Sequence, residues 1–172
     1  MTRKSIIRTA LTAIVFAVFA ACSGNSEPLS PVTESTPADF GGHYSGTFRV
    51  NKCVADGVFL GSCEEDGFTV GTTVPMELSL DQNLATVTGT VLLGGLDGTF
   101  QGIVTGNTLG GSAVMTDLSD EAVAIKAGIT GWNTTISENA LSGGFTVIFR
   151  VISPAGAVTI TAGIVQLTRS SS

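Results

Sequence analysis

Few residues of this chain have chemistry to offer: three cysteines, one histidine and two short carboxylate clusters. Cys53 and Cys63 are an even pair in a chain whose N-terminus directs it out of the cytoplasm, where paired cysteines oxidise to a disulfide by default. Such a bridge closes a loop of about ten residues and stabilises by roughly 2–3 kcal/mol through loop-closure entropy. Zinc is the alternative, yet two cysteines with one distant His43 cannot fill a tetrahedral shell. No serine or cysteine has a matching base partner, and there is no G-x-S-x-G elbow, so no catalytic residue is expected and the chain reads as non-enzymatic. Glu64-Glu65-Asp66 and the group Asp117, Asp120 and Glu121 could offer oxygens to calcium, but neither has EF-hand spacing with its central glycine. Gly94-Gly95-Leu96-Asp97-Gly98 and Gly106-Asn107 join strands to strands, whereas a phosphate cradle needs a following helix. No metal and no cofactor are expected.

The N-terminus says where this chemistry is placed. Arg3, Lys4 and Arg8 precede an uncharged, largely apolar run from Ala10 to Ala21, too short to span a bilayer comfortably. That is the layout of a secretory signal. Phe19-Ala20-Ala21-Cys22 resembles the lipobox of bacterial lipoproteins, with phenylalanine where leucine is usual. The resemblance implies that Cys22 is lipidated on sulfur and becomes the new N-terminus. Ser23 to Ala38 is polar, rich in Ser, Thr and Pro, and without apolar periodicity, so it reads as a disordered tether. The expected organisation is a signal peptide over 1–21, a lipidated tether over 22–39, a folded domain over 40–169 and a short tail over 170–172. Ser23, rather than aspartate, after the cysteine resembles lipoproteins sorted to an outer membrane, which implies a place on that membrane facing the periplasm or the cell surface. Acyl chains contribute roughly 0.8 kcal/mol per buried methylene, so two or three of them hold the protein without help from the domain.

Without Arg3, Lys4 and Arg8, five basic side chains face fourteen acidic ones, a net charge of −9. Such a surface repels nucleic acid and anionic head groups, so the expected membrane partner is reached through the acyl chains on Cys22 alone. A monomer is expected.

From residue 40 onward the apolar pattern has period two and glycine is abundant. Tyr44, Gly46, Phe48 and Val50 alternate with polar neighbours, as do Val74, Met76, Leu78 and Leu80, and Asp81-Gln82-Asn83 offers a turn. Later, Leu141, Gly143, Phe145, Val147, Phe149 and Val151 make a long strand, and Val158, Ile160, Ala162 and Ile164 follow. This pattern predicts antiparallel strands near 43–52, 72–80, 84–92, 97–105, 108–116, 129–137, 140–151 and 157–168. Residues 118–127 fit either a short helix or a strand, with a short helix or irregular loop favoured. Apolar residues recur shortly before mid-strand glycines, at Gly89, Gly102, Gly110-Gly111 and Gly143. Glycine weakens a flat strand, so this use points to the strong coiling of a small barrel, in which a facing aromatic fills the space left. The fold class is therefore all-β, a single antiparallel up-and-down barrel of about eight strands, with an antiparallel β-sandwich as the alternative. An integral outer-membrane barrel is disfavoured, because one Trp and one Tyr cannot make two aromatic girdles.

Gly42-His43-Tyr44 resembles the G-x-W opening of lipocalin-like (calycin) barrels, with tyrosine in place of tryptophan, and Arg169 ends the last strand where those barrels often place an arginine across that ring. The resemblance implies a barrel-closing pair of Tyr44 and Arg169, and a role in binding or carrying a small apolar ligand. Trp132 is the weak candidate for a ligand-stacking residue, should it lie at the barrel mouth. A packed barrel presenting loops 53–71 and 117–128 to an envelope partner is the competing reading. Phe48, Phe100, Phe145 and Phe149 have the parity to fill the interior, and whether they do separates the two.

Overall fold

A computed structural model describes residues 36–116, 124–152 and 154–170. The signal peptide, Cys22, most of the tether, and Asp117, Asp120 and Glu121 lie outside the described residues. Eight strands form one closed barrel in which every strand pairs with its sequence neighbours and the last pairs with the first. They are β1 (Gly42–Gly57), β2 (Thr73–Asn83), β3 (Thr86–Leu93), β4 (Leu96–Thr105), β5 (Thr108–Met115), β6 (Ile125–Ser137), β7 (Ala140–Val151) and β8 (Gly156–Arg169), with one short helix, α1 (Ser62–Glu65). The up-and-down barrel is thus present and the sandwich is excluded. Its inward faces are apolar and its outward faces carry Ser45, Arg49, Thr88, Gln101 and their like. A barrel that crosses a bilayer has the opposite polarity. Among the described residues no helix is long and apolar enough to cross a membrane.

Three boundaries depart from the sequence reading. β1 runs on to Gly57 rather than 52, so 53–57 of the expected loop 53–71 are strand, paired with β8 from Cys53↔Ile160 to Gly57↔Gly156. Asp81-Gln82-Asn83 is strand, because the ladder runs on through Asp81↔Thr88, Gln82↔Val87 and Asn83↔Thr86, which moves the turn to Leu84-Ala85. Leu84 accordingly takes a left-handed φ of 55°, an unusual place for a branched apolar residue. β6 also starts at Ile125 rather than 129, so 125–127 are strand and not helix or loop. Ile125, Ala127 and Ile129 alternate inward against Val151, Phe149 and Val147, and that pairing outweighs any helical preference.

The recurrent glycines meet two needs. A Cβ on Gly89 would stand 1.9 Å from the backbone oxygen of Ser79, so the coiled β2–β3 pair leaves no room for a side chain. A Cβ on Gly111 would stand 2.6 Å from Cζ of Phe100, whose ring occupies the space that the glycine leaves.

One end of the barrel is sealed. Its turns are the short ones at 84–85, 106–107 and 138–139. Ala38, Asp39 and Phe40 lie across it as a strap. The Ala38 amide donates to Gly106 O at 2.8 Å, and Gln82 accepts from the Phe40 amide while donating to Ala38 O at 3.0 Å. Phe40 and Tyr44 are fully buried beneath the strap. Tyr44 is the Cα partner of Arg169, whose Nε and Nη2 donate to the phenol oxygen at 3.0 and 2.8 Å. The phenol in turn donates to Phe40 O at 3.1 Å. The guanidinium carbon is 5.4 Å from the ring centroid, so the contact is chiefly with the oxygen end of the ring. Arg169 also reaches the strap, donating to Asp39 O and pairing with its carboxylate at 3.1 Å.

Burial pushes the Tyr44 phenol above its ordinary value, and the Arg169 hydrogen bond and charge only partly offset this. For Arg169, burial works against the charge, but the bond to Tyr44 and the negative groups outweigh it and hold the guanidinium protonated. A folded phenol that keeps its proton longer than the unfolded one stabilises fully below pH about 10, and that contribution is lost as pH climbs through the folded value. Tyr44 is the only tyrosine. The phenolate absorbance of the native protein is therefore expected to titrate above that of the urea-denatured protein. Coincident curves would mean that the phenol is not held in this way.

Candidate functional site

The other end is built differently. Here emerge the two longest connections, 58–72 and 116–124, together with the shorter 94–95 and 152–155. What lies between the two ends decides whether anything can enter. Midway, four rings fill the barrel: Phe48 packs edge-on to Phe145 at 5.3 Å, Phe145 stacks on Trp132 at 5.1 Å, and Trp132 meets Phe100 edge-on at 5.2 Å. Trp132 is 2% exposed and its indole donates to Oγ1 of Thr134, itself 1% exposed, at 3.0 Å. The weak candidate for ligand stacking is therefore part of the packed centre and not of the mouth. It cannot stack on a ligand there without dismantling the core.

Above this layer the filling stops. A partly enclosed cavity of about 210 Å³ has Phe48 as its floor and Val74, Leu93, Leu96, Met115, Val147 and Ile160 as its walls. Each wall residue is an inward position near the open-end tip of its strand. The roof is Asp66, Gly67 and Phe68, from the 58–72 connection. A second space of about 110 Å³, bounded by Phe59, Ile125 and Val158, shares Asp66, Phe68 and Phe149 with the first. Phe149 has the same parity on β7 as Phe145, yet it is only half-buried and faces Phe68, ring centroids 6.3 Å apart. No protein-family model, curated protein or solved structure matches this chain.

The roof is fixed to the wall by covalent and hydrogen bonds. The Cys53–Cys63 disulfide ties α1 to β1, with the two Cα atoms 5.9 Å apart. Cys63 is buried, and Phe59 and Phe68 on either side of it pack onto the core. The far end of the connection is held by Val50, whose amide donates to Thr72 O at 2.9 Å and whose carbonyl accepts from Gly71 at 2.8 Å. Asp66 follows α1 directly, and its amide donates to Ser62 O at 3.0 Å. The sequence places Glu64-Glu65-Asp66 in the expected loop 53–71 and gives no sign of α1 or of the part that Phe68 plays. The signal that could have found them is positional, since they lie in the longest connection of the chain and beside its disulfide.

His43 is exposed on the outer face of β1, with Nδ1 3.4 Å from Leu78 O. Glu77, Ser79 and Asp97 line the same shallow depression of the outer wall. Among the described residues no hydrogen bond links the imidazole to Ser79 or to a carboxylate, so the base–nucleophile contact of a hydrolase is not made. No group of three or more metal-ligating side chains occurs among the described residues.

Proposed function

We propose that this chain is a lipid-anchored, non-enzymatic protein of the bacterial envelope whose lipocalin-like barrel binds one small apolar molecule at its open end. The observation that carries the reading is the cavity of about 210 Å³ above the aromatic layer, apolar on all sides except for Asp66. A dry apolar cavity of about 150 Å³ is known to take up benzene. The present one suits a single ring with a short chain and is too small for a long lipid. The lipobox resemblance at Cys22 supports attachment through acyl chains to an outer membrane, with the domain facing the periplasm or the cell surface. The Tyr44–Arg169 closure supports the likeness to calycin barrels. The acidic surface argues against nucleic acid as a partner.

Toluene tests the cavity. At about ten times its Kd it would add about 1.4 kcal/mol to the stability of the native state. In the full chain carrying Cys22→Ser, Tm is then expected to rise by roughly 4 °C. Val147→Phe fills the cavity and is expected to abolish the rise. The packed interaction module is the second reading, favoured by the exposed apolar residues Leu60, Val70 and Ile152 on the connections of the open end. It predicts no toluene effect on the native protein. For the anchor, Cys22→Ser is expected to move the protein from the membrane to the soluble envelope fraction, and an unchanged membrane fraction would contradict acylation.

A further inference from the structure

We infer that the molecule taken up at the open end is a small lipophilic cation, an aryl- or alkyl-ammonium, with its apolar body in the cavity and its charge at Asp66. The inference rests on the ligand-site reading above and names the chemistry of that ligand. Asp66 is the single charged side chain lining either space, and it lines both. Its backbone is held by the turn that ends α1, and α1 is held by the disulfide, so the residue belongs to a fixed part of the roof. Phe68 and Phe149 line both spaces together with Asp66, and the faces of such rings attract a cation through their quadrupole.

The described residues of the open end carry both signs of charge. Asp56 ends β1 here, and Glu64 and Glu65 precede Asp66. Lys126 and Arg150 are exposed cross-strand partners on the outer wall, with Arg150 level with Asp56 on either side of Ala157. No basic residue lines either space, so a carboxylate-headed ligand would meet Asp66 and no lining base, whereas an ammonium group would meet a counter-ion.

Three probes with the same phenethyl body separate this inference from the reading beneath it: phenethylamine, phenethyl alcohol and 3-phenylpropionate, titrated calorimetrically into the full chain carrying Cys22→Ser. The amine is expected to bind about tenfold more tightly than the alcohol, from the rim charge and the ring faces together, with the carboxylate weakest. Asp66→Asn should bring amine and alcohol to within about twofold of each other. Equal binding of amine and alcohol by the native protein would overturn the cation while leaving the cavity as a ligand site. If none of the three binds, the cavity reading falls and the cation with it.

Discussion

Trp132→Ala is expected to destabilise the domain by about 3–5 kcal/mol, the range for truncating a large buried aromatic. Trp132 is the centre of the stack that fills the barrel, in contact with Phe100 on one side and Phe145 on the other. Removing it opens a void between two rings that strand pairing holds apart, so collapse recovers little. It also deprives the buried Thr134 hydroxyl of its indole partner, and an unsatisfied buried polar group costs a further 1–3 kcal/mol or so. Urea unfolding followed by far-ultraviolet circular dichroism measures this, because the variant lacks the only tryptophan and its fluorescence signal. Trp132→Phe with Thr134→Val should recover much of the loss by keeping a ring and removing the orphaned hydroxyl. A loss below about 1 kcal/mol for Trp132→Ala would mean that the ring is not packed in the core.

The barrel was legible because each strand has one wet and one dry face. Met76, Leu78 and Leu80 alternate with Glu77 and Ser79 as cleanly in the sequence as in the structure. Turn residues helped where they stood at turns, as at Gly94-Gly95 and Gly106-Asn107, and misled at Asp81-Gln82-Asn83. There the polar residues serve another purpose: Gln82 uses its side chain to hold the strap at Ala38 and Phe40. The cavity was not legible, because parity says which residues point inward and not how far along the axis each one lies. Phe145 and Phe149 are alike in sequence terms, four residues apart on one strand. One closes the middle of the barrel and the other edges an empty space, and the stagger of all eight strands decides which. The helix α1 was invisible for a different reason. Four residues carry almost no intrinsic helical preference, and this turn of helix is maintained by the disulfide through Cys63 and by the burial of Phe59 and Phe68.

The two ends of the barrel therefore depend on different bonds, and removing the disulfide should separate them. Cys53→Ser with Cys63→Ser is expected to cost about 2–3 kcal/mol from the entropy returned to the unfolded chain by a ten-residue loop. The native-state effect should be local. Without its tie to β1, the roof keeps the Val50 hydrogen bonds to Gly71 and Thr72, the backbone bonds of Val58, Phe59 and Leu60 to Ala155, Asp56 and Gly57, and the packing of two half-buried rings. Amide exchange is then expected to accelerate over 58–70 and to stay unchanged at Ala38, Phe40 and Arg169, whose amides donate to Gly106, Gln82 and Asn139 at the far end. Because Asp66 and Phe68 belong to the released segment, the toluene-induced rise in Tm should shrink along with exchange protection, beyond what the global loss of stability explains. Uniform acceleration over both ends would mean that the barrel opens as one unit. Unchanged exchange over 58–70 would mean that the roof is held by packing alone, with the bridge acting only on the unfolded chain.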